Sequence, residues 1–216
     1  RGVVKSDEDG NALFVLNCPK LYKDDEDTLY PRHIHYSVLT NDDVWNEYIE
    51  TLEIVCKVSY DLMKQIVKQK RYFILNALSS DSFEEKHIPT SLNLHHESFD
   101  DLSQKEKEKK IRKAITSNFK DFPLIKDFYD KTEDIKQIPI ICYCAHEDCD
   151  ASTKLIDHLY DAGFFNVIEY PGGLKEWFSK SKPLFDDAAD EEEDEEKEEE
   201  EKEEEDEEDI DLQTMK

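Results

Sequence analysis

The segment Ile138-Pro-Ile-Ile-Cys-Tyr-Cys144 does most to limit the folds open to this chain. It has no polar face to offer to water, so it reads as a strand buried on both sides, as in a parallel sheet covered by helices. Residues 151–162 follow with Leu155, Ile156 and Leu159 at helical spacing, and Gly163 stands where a left-handed residue would end the helix. The same alternation runs upstream. Tyr72-Phe-Ile-Leu75 repeats the buried-strand pattern, Leu92 and Leu94 mark another strand, and residues 167–170 a last one. Between them, Ser59 caps a helix carrying Leu62, Met63, Ile66 and Val67. A short turn-helix begins at Phe83 and is stopped by Ile88-Pro89. An amphipathic helix covers 103–119 with Leu102, Ile111, Ala114 and Ile115 on one side, and a second helical piece covers 122–129. Pro171-Gly172-Gly173 makes a turn before a closing helix over 174–178. Strands alternating with helices predict an α/β domain, a mostly parallel sheet with helices on both faces. Ligands of such sheets bind beyond the carboxyl ends of the strands, where the loop after Tyr143 stands.

The domain is expected over residues 58–182. Residues 1–57 read as a partly structured N-terminal extension. Residues 12–17 and 30–39 are candidate strands, and Asn41 or Asp42 would cap a short helix through Trp45 and Ile54. Residues 183–216 read as a disordered acidic tail. Charge sets the tail apart: residues 186–216 hold 21 of the 54 acids and 3 of the 28 Lys and Arg, a net of −18 out of −26. Such a segment cannot bury enough apolar surface to collapse. It solubilises the chain or recruits a basic protein partner.

With the tail set aside, the body has no basic excess, which argues against binding nucleic-acid phosphates. No apolar run approaches the roughly 18–20 residues that span a bilayer, so no membrane partner is expected. The run 12–16 is too short for the core of a signal peptide and follows acids. Five cysteines, Cys18, Cys56, Cys142, Cys144 and Cys149, are an odd number without an evident disulfide framework. The expectation is a reducing, cytoplasmic setting, with nuclear and organellar locations open.

Three of those cysteines fall within Cys142-Tyr-Cys144-Ala-His-Glu-Asp-Cys149. Strand alternation puts Cys142 and Cys144 on one side, Cys142 inside the strand and Cys144 at its end. A thiol entering a helix N-terminus is expected to have a lowered pKa. Loop amides from Ala145 to Ala151 would stabilise a thiolate or a persulfide alike. Cys149 would resolve a persulfide, close a disulfide on Cys144, or be only a neighbour. His146 would polarise a donor or simply face solvent. Cys142, Cys144, His146 and Cys149 together have the chemistry of a zinc site, although a strand-interior cysteine is poorly placed to share a metal with the loop. A cysteine-phosphatase reading fails for want of an Arg between Cys144 and Lys154. His33-x-His35 reads as surface alternation.

The order of these pieces resembles the rhodanese domain family. In the second half the resemblance rests on the strand ending at Cys144, a short loop, Ala151-Ser152, Gly163-Phe164, Asn166-Val167, Gly172-Gly173-Leu174 and Trp177. In the first half it rests on Val58-Ser59, residues 72–75, Phe83-Glu84-Glu85, His87-Ile88-Pro89 and Leu92-Asn93-Leu94. It covers roughly residues 57–181. It implies a sulfurtransferase fold in which Cys144 carries sulfur as a persulfide, taken from a donor and passed to a thiol or other nucleophilic acceptor. Ala145, His146, Glu147, Asp148, Cys149, Asp150 and Ala151 would form the substrate-facing loop, with no cofactor. The departures bear on the donor. Where the family commonly has Arg or Lys five residues after the cysteine, this chain has Cys149, and the loop is about two residues longer. The loop carries Glu147, Asp148 and Asp150, whose charge opposes thiolate and anion alike. Lys86 and Thr90 replace glycines around His87-Ile88-Pro89, and Asn76 replaces an Asp. The alternative is an inactive copy of the fold serving as an interaction module.

Overall fold

The computed structural model describes residues 2–39 and 44–181. The acidic tail, the N-capping role of Asn41 or Asp42, and residues 182–216 generally lie outside the described residues. Residues Arg1–Glu176 form one compact unit, and of a second unit, from 177 on, only the end of the last helix is described.

Two small antiparallel pairs precede the main sheet. β1 (Tyr22–Lys23) pairs with β2 (Leu29–Tyr30), and β3 (His33–Tyr36) with β4 (Glu50–Glu53). Pro31, which has no N–H to give a ladder, separates β2 from β3 where one strand over 30–39 was expected. The expected strand over 12–17 is irregular. The expected helix through Trp45 and Ile54 is not formed: Trp45 bridges Leu39, and β4 takes up the end of that segment. A short helix needs an apolar surface to bury its stripe, whereas pairing with β3 satisfies the backbone without one.

The main sheet is parallel, in the order β5 (Cys56–Lys57), β9 (Val167–Tyr170), β8 (Ile140–Tyr143), β6 (Phe73–Asn76), β7 (Ser91–Asn93). Every residue of β6 and β8 is buried, as continuous apolar runs require. One face carries Phe73, Leu75, Ile140, Cys142 and Val167, packed with Ile111 and Ile115 of α3 (Gln104–Thr116), Ile125 of α4 (Pro123–Thr132), and Leu155, Ile156 and Leu159 of α5 (Ala151–Asp161). Alternate residues Ile74, Ile141 and Tyr143 point to the other face, the side of Met63 and Ile66 of α1 (Tyr60–Gln69).

The caps explain where the helices begin. Ser59 accepts a hydrogen bond from the Leu62 N–H at the head of α1. The helix α2 (Ser80–Glu85) starts three residues before Phe83 because Ser79 caps it, accepting from Ser82. Gly163 ends α5 with φ of 82°, as expected of a residue past a helix C-terminus. The last helix, α6 (Gly173–Ser181), runs to the end of the described residues.

One covalent feature overturns an expectation. Cys18 and Cys56 form a disulfide joining the N-terminal extension to the edge strand β5. No disulfide framework was evident in the sequence, and this pairing of two of the five cysteines was not anticipated there. Cys142, Cys144 and Cys149 are free thiols. Among the described residues no helix is long and apolar enough to cross a membrane.

Candidate functional site

The sheet order reverses direction between β6 and β8, so the crevice for a ligand is expected beyond the carboxyl end of β8. Cys144 is the first residue after β8, on the same face as Cys142, and both are fully buried. The loop leaves under restraint. The Leu174 N–H donates to Cys144 O at 3.0 Å and the Lys175 N–H to Ala145 O at 2.9 Å. These bonds bring α6 against the loop so closely that a Cβ on Gly173 would lie 2.5 Å from Cys144 O, and Gly173 has φ of 58°. Glycine is the residue that tolerates both demands. Within the loop, Cys149 N–H donates to His146 O at 3.0 Å, and α5 begins at Ala151.

The chain folds back over Cys144. Its thiol donates to Cys149 O at 3.1 Å, with His146 O at 3.6 Å. The Ser152 hydroxyl lies 3.3 Å from Cys144 Sγ and 2.8 Å from Glu169 Oε1. It has one proton. The carboxylate is the stronger acceptor while Cys144 is protonated, and the thiolate competes once Cys144 ionises. Neither Ser152 nor Glu169 was singled out for chemistry from sequence. Ser152 stood only as part of the Ala151-Ser152 motif, and Glu169 looks like an ordinary polar position in the strand Val-Ile-Glu-Tyr.

Electrostatics inside the loop differ from the expectation. Burial pushes the Cys144 thiol above its ordinary value, against the lowering exerted by the Ser152 side chain and backbone N–H. Cys149 goes the other way. Partial burial would raise it, but the backbone N–H groups of Ala145 and Ala151 and the neighbouring Cys144 side chain outweigh burial and hold it below the ordinary value. The backbone amides of Ala145 and Ala151 bear on Cys149 rather than on Cys144, and Cys149 is the thiol that reaches the surface. The expected low pKa at Cys144 is therefore corrected: a fully buried sulfur loses more hydration than one helix terminus returns.

The remaining loop residues are accounted for. His146, Glu147, Asp148 and Asp150 are exposed, while Ala145 is half-buried and Ala151 buried. Asp150 is drawn off by Lys154, 2.8 Å away. No guanidinium stands in the loop to meet an anionic donor. The zinc reading does not find its residues together. Among the described residues the group with metal-ligand spacing is His95, His96 and Glu97, after β7, and Cys142 is sealed in its strand. His33 and His35 lie on β3, where their rings pack edge to face at 4.8 Å.

His87-Ile88-Pro89 has a structural role. The buried Tyr143 hydroxyl accepts from the Ile88 N–H at 3.0 Å and donates to Ser91 Oγ, 2.9 Å away. The segment is thereby fixed to the back of the strand that carries Cys144.

No curated protein matches the chain. Among solved structures, an uncharacterized protein from Saccharomyces cerevisiae aligns at 19% identity, covering 59% of this chain and 93% of its own, with a TM-score of 0.41. The single-domain sulfurtransferase RDL2 from the same yeast aligns at 18% identity over 61% of this chain and 95% of its own, TM-score 0.42. The human single-domain sulfurtransferase TSTD1 aligns at 12% identity over 59% of this chain and 97% of its own, TM-score 0.38. The family model of the rhodanese-like domain matches residues 59–180, more than half of the sequence, and on that ground the chain belongs to the rhodanese-like domain family.

Proposed function

We propose that this protein is a sulfurtransferase that holds sulfane sulfur as a persulfide on Cys144 and passes it to a thiol or another nucleophile. The observation that carries the reading is the position of Cys144 Sγ. It sits at the carboxyl end of the central strand, under a loop tied down by α6, with the Ser152 hydroxyl and N–H directed at it. Those two donors suit a sulfur that becomes negative during transfer. Enclosure keeps bulk reductant from a bound sulfane sulfur.

The donor follows from the charge of the loop. Glu147 and Asp148 are exposed, and Asp150 is paired with Lys154. A free dianion such as thiosulfate meets repulsion there. A neutral, cationic or protein-bound persulfide does not.

The test is chemical. The reduced protein is incubated with a hydropersulfide donor, and separately with thiosulfate. The loaded protein is then alkylated, digested and fragmented by mass spectrometry. A cyanide-labile extra sulfur residing on Cys144 at steady state, formed from the hydropersulfide and not from thiosulfate, is the expected result. Absence of labile sulfur from both donors would sink the reading. The acidic sequence over 186–216 then becomes the working part, an electrostatic arm for a basic protein partner, and capture of that partner would weaken steeply with added salt.

A further inference from the structure

The two thiols of the loop divide the two properties that a sulfur carrier needs. Cys144 has the shelter: its relative exposure is 0%, its thiol hydrogen is engaged by Cys149 O, and Ser152 stands behind its sulfur. Cys149 has the access, being the one free thiol of the three that is not buried. The two residues adjoin: Cys144 Sγ lies 3.1 Å from the backbone oxygen of Cys149. A donor that must touch the attacking sulfur meets Cys149 first. To reach Cys144 it would have to displace the loop that Leu174 and Lys175 hold closed.

We infer that Cys149 is the entry thiol of this site, taking sulfane sulfur from the donor at the surface and relaying it inward to Cys144. This rests on the sulfur-carrier reading of Cys144 and adds a step before it. In the first step the Cys149 thiolate attacks the outer sulfur of the donor hydropersulfide. The Cys149–sulfur bond forms, the donor's own sulfur–sulfur bond breaks, and the donor leaves as a thiolate. In the second, Cys144 sulfur attacks the outer sulfur on Cys149. The new bond forms to Cys144, the bond to Cys149 breaks, and the Cys144 proton ends on Cys149. Each step exchanges one sulfur–sulfur bond for another, so no external oxidant or reductant enters. The backbone amides of Ala145 and Ala151 lower the Cys149 pKa and so favour its nucleophilic form, while the Cys144 thiol hydrogen is held by Cys149 O until the relay.

The position of Cys149 gives the relay its further meaning. A loop cation at this place would help seat an anionic donor directly at the inner cysteine. A thiol there replaces electrostatic capture by covalent capture, which is indifferent to the donor's charge. This reconciles an acidic loop with sulfur chemistry.

The test is the time course of loading from a low-molecular-weight hydropersulfide, quenched by alkylation at short times and mapped by fragment mass. In the wild-type chain the sulfur is expected on Cys149 at the earliest times and on Cys144 later. In Cys144→Ser the sulfur should load and stay on Cys149, open to rapid discharge by cyanide. In Cys149→Ser loading of Cys144 should fall well below the wild-type rate, because the donor must then displace the loop that covers Cys144. Wild-type loading speed in Cys149→Ser, with no loading of Cys144→Ser, would overturn the relay and leave Cys144 as a carrier loaded directly. Sulfur appearing on Cys144 before Cys149 in the wild-type chain would overturn it without any variant. No loading anywhere would remove the carrier reading along with the relay.

Discussion

Every residue of β6 and β8 is buried, whereas every residue of β4 is exposed. Both regions are β structure in one chain, but they hold their shapes by different means. The sheet is kept by apolar burial on two faces, with three helices packed on the Phe73 and Ile140 side. The extension has strands of two to four residues and is attached at a few points. The Cys18–Cys56 disulfide is one. Arg32 is another: its guanidinium donates to Phe165 O, Val167 O and Asn166 Oδ1 at 3.1, 3.2 and 2.7 Å, at the start of β9. A third is the Lys23 ammonium, 3.6 Å from the Asp134 carboxylate. A region too thin to bury a core is held by staples. A region with a core can spend its loop on chemistry.

The largest expected contrast sets one leucine against another. Leu155→Ala removes a fully buried side chain from α5 and should cost about 2–5 kcal/mol in urea unfolding. Leu52→Ala on exposed β4 should stay within about 0.5 kcal/mol. Equal losses would erase the distinction drawn here.

Alkaline pH should separate the regions next. Burial raises the pKa of Cys142, Cys144, Tyr143 and Tyr170 in the folded state, from ordinary values of 9.0 for the thiols and 10.0 for the phenols. Above those values the unfolded chain sheds protons that the folded chain keeps, so stability falls as pH rises. Cys149 and Lys110, both lowered, work in the opposite direction. The urea midpoint should hold through neutral pH and drop from about pH 9 upward, as thiols and then phenols ionise in the unfolded chain. A midpoint unchanged on reaching pH 10.0 would contradict the burial of these groups.

The smallest expected effect is local. Cys18→Ser should speed amide exchange in the Tyr22–Tyr30 ladder and leave Ile140–Tyr143 protected. Equal speeding in both would mean that extension and sheet open as one unit.

What could be read from sequence follows the same division. The strands around Phe73 and Ile140, the Ser59 cap, Gly163 and the helical stripe of α5 are local patterns whose cause lies within a few residues. The pairing of His33 with Glu53 is not local, and an apolar stripe beside a possible cap looked helical without the partner strand in view. Arg32 gave no signal, because its three acceptors lie about 130 residues away. At the site, the end of the strand located Cys144. The inversion of acidity between Cys144 and Cys149 was hidden, because it depends on where backbone amides point after the loop has closed. The approach of Ser152 to Glu169 was hidden for the same reason.

The two ends of the sulfur loop are fastened by contacts that do not involve the side chains between them. Leu174 and Lys175 hold the carbonyls of Cys144 and Ala145, and α5 takes over at Ala151. The stretch from His146 to Asp150 can thus be exchanged as a cassette: its length and charge can drift, or be rewritten, while sheet and helices keep their sequence. On the sulfur-carrier reading proposed above, a protein engineer could alter the donor by rewriting the positions around Cys149 in this stretch without reopening the fold.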